Sequence, residues 1–358
     1  FVTARLDRGA VGRALRIVAP LVLAATACSA TTEPAAGSTV ASSVTAIETA
    51  GPAPTAAPDQ AIELLRIDDP SFDGGTLSAV VRAGSGLVAV GIDEVAEDAA
   101  VWVSSDGRVW DRIESESLSG VADENGLDGA QVMRDVAVGP AGIVAVGSYE
   151  LKAEREVGAG VWLSDDGFEW ERVVHDTLDG VGAEVISSID VWNGLYVAGG
   201  ERPGPVGSGE RRPAIWISDD ARDWERIDGS VFGMDGAITA VTHSDSRLVA
   251  AGTSGHVARP TIWVSTDART WEAVFAEDAG GSEFGRIAIG DAERFEDVFM
   301  SSVATTSDGY VAAGIIGEPS RAIFWTSSDA MIWEHVAIVE DFERATVPVS
   351  VSSMVATE

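Results

Sequence analysis

A nine-residue segment bounded by tryptophan is written five times in this chain, and any fold must accommodate that repetition. The copies are Trp102-Val-Ser-Ser-Asp-Gly-Arg-Val-Trp110, Trp162-Leu-Ser-Asp-Asp-Gly-Phe-Glu-Trp170, Trp216-Ile-Ser-Asp-Asp-Ala-Arg-Asp-Trp224, Trp263-Val-Ser-Thr-Asp-Ala-Arg-Thr-Trp271 and Trp325-Thr-Ser-Ser-Asp-Ala-Met-Ile-Trp333. They hold ten of the eleven tryptophans, and their aspartates, at 106, 166, 220, 267 and 329, are 60, 54, 47 and 62 residues apart. Periods of this length in strand-forming sequence indicate propeller blades or a stacked β-array, whatever domain count the length of 358 residues suggests.

Two further elements precede each segment. One is apolar throughout: Gly86-Leu-Val-Ala-Val-Gly91, Gly142-Ile-Val-Ala-Val-Gly147, Gly194-Leu-Tyr-Val-Ala-Gly199, Arg247-Leu-Val-Ala-Ala-Gly252 and Gly309-Tyr-Val-Ala-Ala-Gly314. Such a run suits a strand buried on both faces. Before it comes a more polar strand, Leu77–Val81 in the first unit and Met300–Ala304 in the last. With the residues after the second tryptophan, each unit makes four short antiparallel strands, the size of a blade. No segment sustains a helical period. The expected class is all-β, a β-propeller with five complete blades.

The ends extend the pattern. Leu64-Leu65-Arg66-Ile67 aligns with Trp110-Asp111-Arg112-Ile113, so residues 61–69 read as an orphan fourth strand. Val351–Val355 reads as a first strand after which the sequence stops. A blade shared between the termini would hide both edges. The expectation is a C-terminally truncated propeller over residues 61–358, with at least six blades in its full-length form.

The Ser-x-Asp-x-x-x-Trp element resembles the Asp-box, or BNR repeat, of sialidase-like propellers, with one residue fewer between Asp and Trp than that family writes. The resemblance implies a structural role for Ser104, Asp106 and Trp110; Ser164, Asp166 and Trp170; Ser218, Asp220 and Trp224; Ser265, Asp267 and Trp271; and Ser327, Asp329 and Trp333. An Asp side chain can accept bonds from turn N–H groups, and a tryptophan between sheets buries about 150–250 Å². Gly107 and Gly167 tolerate positive φ at the next position, where Ala221, Ala268 and Ala330 stand in the later units. Either that position is not left-handed, or each alanine costs on the order of 1 kcal/mol.

Residues 1–27 carry Arg5, Arg8, Arg13 and Arg16 and then an uncharged run from Ile17 to Ala27, too short for the roughly 20 residues of a spanning helix. This reads as a signal peptide. It ends at Ala25-Thr26-Ala27-Cys28, which resembles the lipobox of bacterial lipoproteins and implies acylation of Cys28, the only cysteine. Residues 28–60 then form a Ser/Thr/Ala/Pro tether too poor in large apolar groups to fold. The expected location is extracytoplasmic, held to the membrane only through the lipid, or secreted if the cysteine is incidental. A net charge of −33 excludes a phosphate-binding surface, and hence nucleic acid as a partner.

Sialidase chemistry implies an Arg-Ile-Pro motif, three arginines and a Tyr–Glu pair. The sequence has no Arg-Ile-Pro, and its three tyrosines are Tyr149, Tyr196 and Tyr310. Tyr196 and Tyr310 fall inside the apolar strand, while Tyr149 has Glu150 beside it. The four histidines, His175, His243, His256 and His335, stand in separate positions of the repeat and suggest no constellation. The acidic loop over 123–129 lacks an oxygen ligand at Leu127, so no metal and no cofactor is implied. Loops after strands two and four share one face, and one of them gathers Arg202, Arg211 and Arg212, candidates for an anionic ligand. The leading expectation is a non-catalytic propeller binding an extracellular protein or glycan. The alternatives are a sialidase-type exo-glycoside hydrolase and an assembly or stability factor for an envelope complex.

Overall fold

The computed structural model describes residues 67, 69–119, 129–151, 156–178, 184–205, 208–255, 259–274, 298–316 and 321–339. The signal segment 1–27, the tether 28–60, residues 61–66, the acidic loop 123–128 and the segment 349–355 lie outside them. Among the described residues, twenty strands form five four-stranded antiparallel sheets, each in simple up-and-down order. The first sheet is β1 (Gly75–Ala83), β2 (Gly86–Asp93), β3 (Ala99–Ser104) and β4 (Asp111–Ile113). The second is β5 (Gln131–Gly139), β6 (Gly142–Leu151), β7 (Glu156–Ser164) and β8 (Glu171–Arg172). The third comprises β9 (Val185–Trp192), β10 (Leu195–Pro203), β11 (Arg211–Ser218) and β12 (Glu225–Ile227). The fourth holds β13 (Ala237–Ser244), β14 (Arg247–Ser254), β15 (Arg259–Ser265) and β16 (Trp271–Val274), and the fifth β17 (Val298–Thr306), β18 (Gly309–Ile316), β19 (Arg321–Ser327) and β20 (Glu334–Val339). These are the five repeats of the sequence, one per sheet. The first strands pack in succession, β1 on β5, β5 on β9, β9 on β13 and β13 on β17, so they form the inner wall of the propeller.

The core lies between blades. The four largest clusters of buried apolar residues each join one face of a sheet to the facing side of the next: Val88, Val90 and Val101 with Met133, Ala145 and Trp162 at the first seam, for example. Both tryptophans of the second to fifth repeats belong to such a seam, and those of the first pack with Ile67 and Phe72; Trp102, Trp162, Trp216 and Trp263 have no exposed surface and the second set is at 7% or less. A blade presents one apolar face to each neighbour, which is why its second strand is apolar throughout.

The loops after β4, β8 and β12, and the segment that leads into β1, turn first toward the tryptophans of the blade that follows. Phe72, Leu118, Leu178 and Phe232 follow Ile67, Ile113, Val173 and Ile227 by five positions each; Ile113 and Ile227 end β4 and β12, and Val173 directly follows β8. Each side chain packs with the two tryptophans of the following blade. Phe72 lies 5.7 Å from both Trp102 and Trp110, and Phe232 6.2 Å from both Trp263 and Trp271, ring centre to ring centre. The preceding carbonyl takes the indole N–H: Ser71 O from Trp102 (2.7 Å), Thr177 O from Trp216 (3.2 Å) and Val231 O from Trp263 (3.1 Å). The stretches 114–118, 174–178 and 228–232, read from sequence as variable surface loop, are therefore seam plugs.

The Ser–Asp–Trp turns repeat in every blade. Asp106 Oδ1 accepts the N–H groups of Arg108 (2.8 Å) and Val109 (3.0 Å), Ser104 Oγ accepts that of Gly107 (2.8 Å), and Trp110 Nε1 donates to Gly107 O (3.3 Å). The position after the aspartate is left-handed throughout, with φ of 74° at Gly107, 86° at Gly167, 60° at Ala221, 64° at Ala268 and 61° at Ala330. The three alanines do adopt the strained conformation, and their methyl groups are fully buried in the seams. Contact of the methyl group offsets the backbone cost of about 1–2 kcal/mol.

Two predictions follow from these contacts. Phe232→Ala should lose about 3–5 kcal/mol and Leu178→Ala about 2–5 kcal/mol in urea denaturation. Val109→Ala, at a side chain 65% exposed, should change stability by under about 0.5 kcal/mol. Equal losses at all three sites would contradict the plug assignment. In the turns, Ala268→Gly should be neutral to within about 1 kcal/mol, relief of strain balancing the lost methyl. Gly167→Ala should cost roughly 1–3 kcal/mol, because its Cβ would stand 2.9 Å from Val88 Cγ2 at a positive φ.

Candidate active site on the inner strands

Every first strand carries a bulge at the same place. The extra residues are Ser78, Arg134, Ser187, Thr239 and Ser301, all polar. The cause lies in the second strand. A Cβ at Gly91, Gly147, Gly200 or Gly252 would fall 1.8–2.0 Å from a first-strand carbonyl oxygen, so the bulged backbone crosses these glycines directly. Bulges of this kind re-aim side chains, and here the hydroxyls of Thr239 and Ser301 turn to second-strand carbonyls, Ala251 O and Ala313 O.

Next to the second bulge stands Asp135. Its Oδ1 accepts Val136 N–H (2.8 Å) and its Oδ2 reaches across the seam to Ile189 N–H (2.9 Å). The residue is half-buried, with its carboxyl held between β5 and β9. Desolvation pushes the Asp135 pKa up to about 6, opposed by these N–H groups and by Ser188 and reinforced by the charge of Asp190. Ser188 Oγ in turn accepts Val241 N–H at 3.1 Å, carrying the link into the fourth blade.

Asp190, on β9, accepts Val191 N–H at Oδ1 (2.7 Å) and meets His243 Nδ1, on β13, at Oδ2 (2.7 Å). This hydrogen bond is the main reason the His243 pKa is raised. His243 is thus one member of an inter-blade carboxylate–imidazole pair. Its position as an isolated histidine in the sequence concealed this, because the partner comes from a different repeat. His175 meets Thr177 Oγ1 at 2.9 Å and lies 3.8 Å from Asp223 near the turns.

The arginines of the third blade are divided. Arg202 and Arg212 stand opposite each other in the β10–β11 register, whereas Arg211 is opposite Pro203 and projects from the other face. Each has an acidic neighbour: Arg202 with Asp228 (3.4 Å), Arg211 with Glu201 (3.0 Å), Arg212 with Glu210 (3.8 Å). The structure brings two of the three together and supplies counter-charges to all. Tyr149 and Glu150 are successive strand residues and point to opposite faces; the Tyr149 ring is buried under the Arg172 guanidinium, 4.5 Å away. The hydroxyl of Tyr196 bonds to Ala141 N–H and Gly142 O (both 3.0 Å), and that of Tyr310 to Ser244 Oγ (2.7 Å). An open groove of about 300 Å³ beside the third-blade turn, lined by residues including His175, Asp219, Asp223 and Arg269, contains none of the axial groups.

The turn aspartates are held below the ordinary carboxylate range by backbone N–H groups, Asp267 at about 2. Their contribution is present above the unfolded pKa and is lost as pH falls. Asp135 has the opposite sign: its folded pKa exceeds 3.8, so its contribution is present below that value and is lost as pH rises through about 6. Urea midpoints should therefore peak near pH 4 and decline as pH rises from there toward about 6. Asp135→Asn should flatten the decline toward neutral pH, and an unchanged slope would show that the proton is not held at Asp135.

No protein-family model and no curated protein matches the sequence. Among solved structures, the sialidase of Trypanosoma rangeli is similar at 15% identity and a TM-score of 0.46, over 75% of this chain and 49% of that one. The α-L-arabinanase of Penicillium chrysogenum is similar at 9% identity and a TM-score of 0.45, over 79% and 83%. The α-L-arabinofuranosidase Arb93A of Fusarium graminearum is similar at 12% identity and a TM-score of 0.44, over 74% and 81%. The expectation of a propeller without catalysis is corrected here: the solved structures named above, to which the chain is similar at 9–15% identity, are glycoside hydrolases.

Proposed function

We propose that the protein is a glycoside hydrolase working at the propeller axis. The observation that carries this reading is the Asp135–Asp190 pair on adjacent inner strands. Glycoside hydrolysis needs one carboxylic acid to protonate the departing oxygen and one carboxylate to meet the anomeric carbon or its attacking water. Asp135, pushed up to about 6, is suited to the acid role, and Asp190, fixed by Val191 and His243, to the carboxylate role. The Ser–Asp–Trp turns, read as Asp-boxes, then hold the blades that bring the two strands together. The sialidase groups proper are not assembled among the described residues, so a sialoside is the first substrate to try rather than the assigned one. Export and acylation at Cys28 would place the enzyme on extracellular glycans.

The test is turnover of fluorogenic sialosides and arabinofuranosides by the full chain. Asp135→Asn and Asp190→Asn should each lower kcat/KM by about 10²-fold or more while the chain stays folded. Absence of turnover by the folded wild type on a broad glycoside panel would overturn the proposal. Palmitate labelling that is lost in Cys28→Ala would support the anchor.

A further inference from the structure

The polar contacts between inner strands are unevenly distributed around the wall. Counting from each bulge, the third residue of one blade meets the fourth of the next. At the first two seams these positions are Val81 with Val138 and Ala137 with Val191, which are apolar. At the third seam they are Asp190 and His243, and at the fourth Thr242 and Thr305, whose hydroxyls lie 3.2 Å apart. Thr305 Oγ1 also donates to His243 O at 2.6 Å. Trp192 Nε1, from the third blade, reaches Ser244 O at 3.1 Å, and Tyr310, from the fifth, donates to Ser244 Oγ. His243 is therefore held from both sides at its backbone neighbourhood, and its side chain is turned to one partner.

We infer that His243 is a positioning residue for Asp190, closing the third seam when protonated and fixing the Asp190 carboxylate in the orientation that catalysis requires. The inference rests on the glycosidase reading for its catalytic half. Its structural half stands on the Asp190–His243 contact. The charged groups around the imidazole are Asp190 on β9 and Asp245 in the following hairpin, both of which favour the protonated ring. β17 contributes the uncharged Thr305, and on β14 the Arg247 guanidinium is bonded to Asp329 O. His243 and Asp190 are 38% and 26% exposed, so protons reach the pair from solvent. The folded imidazole titrates above its ordinary 6.5, so the clasp is complete below that value and is lost as pH rises through the elevated pKa.

The experiment is an NMR titration of His243 in the full chain, paired with the pH–rate profile. In the wild type His243 should titrate above 6.5, and in Asp190→Asn the elevation should be lost. His243→Ala should lower kcat, whereas His243→Gln, which can still donate a hydrogen bond to Asp190, should retain most of it and lose the alkaline limb. An unshifted His243 in the wild type, or a shift that survives Asp190→Asn, overturns the clasp. A shift that behaves as expected in a protein with no glycosidase turnover sustains the clasp and overturns the catalytic reading alone. Turnover with a His243→Ala profile identical to wild type overturns the positioning role.

Discussion

The seam between blades is the contact on which everything else depends. The four largest buried clusters among the described residues are each shared between two neighbouring sheets. The second, third and fourth sheets each lay two indoles against the preceding sheet and receive a plug such as Phe232, contributed by the loop that leaves the preceding fourth strand. The plug links covalent order to spatial order, since the chain cannot start a new inner strand without first passing under the tryptophans of the blade it is entering. Exposed ion pairs such as Arg222–Glu171 cross the same seams near the turns, and at such exposure they add little to the buried apolar contact.

Inside that frame, the bulges decide what the inner wall displays. A regular first strand would alternate its side chains between the two neighbouring blades. The extra residue interrupts this alternation, and the glycine beneath leaves room for the backbone to cross. Polar groups then occupy positions where a buried apolar pair would otherwise sit. Asp135 is the clearest case. Its carboxyl satisfies an N–H group from its own strand and one from the next, and the desolvation it suffers there pushes its pKa up to about 6.

The reach of sequence reasoning differed sharply between turns and wall. The turns were legible because each is local: Ser104, Asp106 and Trp110 contact groups within three residues along the chain, so spacing alone predicts the bonding. The left-handed alanines were undecided for a different reason. Ala221, Ala268 and Ala330 conflict with local preference, and only packing in the seam offsets the conflict. The plugs had a readable signal that periodicity did not expose, an apolar residue five positions after the fourth strand, because it lies in loops of unequal total length.

The sequence by itself determined the all-β class, the four-strand unit, its five copies and the turn chemistry, since these are set by contacts repeated at short and regular separations. Only the tertiary structure decided the site. Asp190 and His243 are 53 residues apart, as are Asp135 and Ser188. Such a pair becomes visible only when one blade is placed beside the next, with its register set by the bulge. The arginines show the reverse: adjacent in sequence, Arg211 and Arg212 are sent to opposite faces by the two-residue period of a strand.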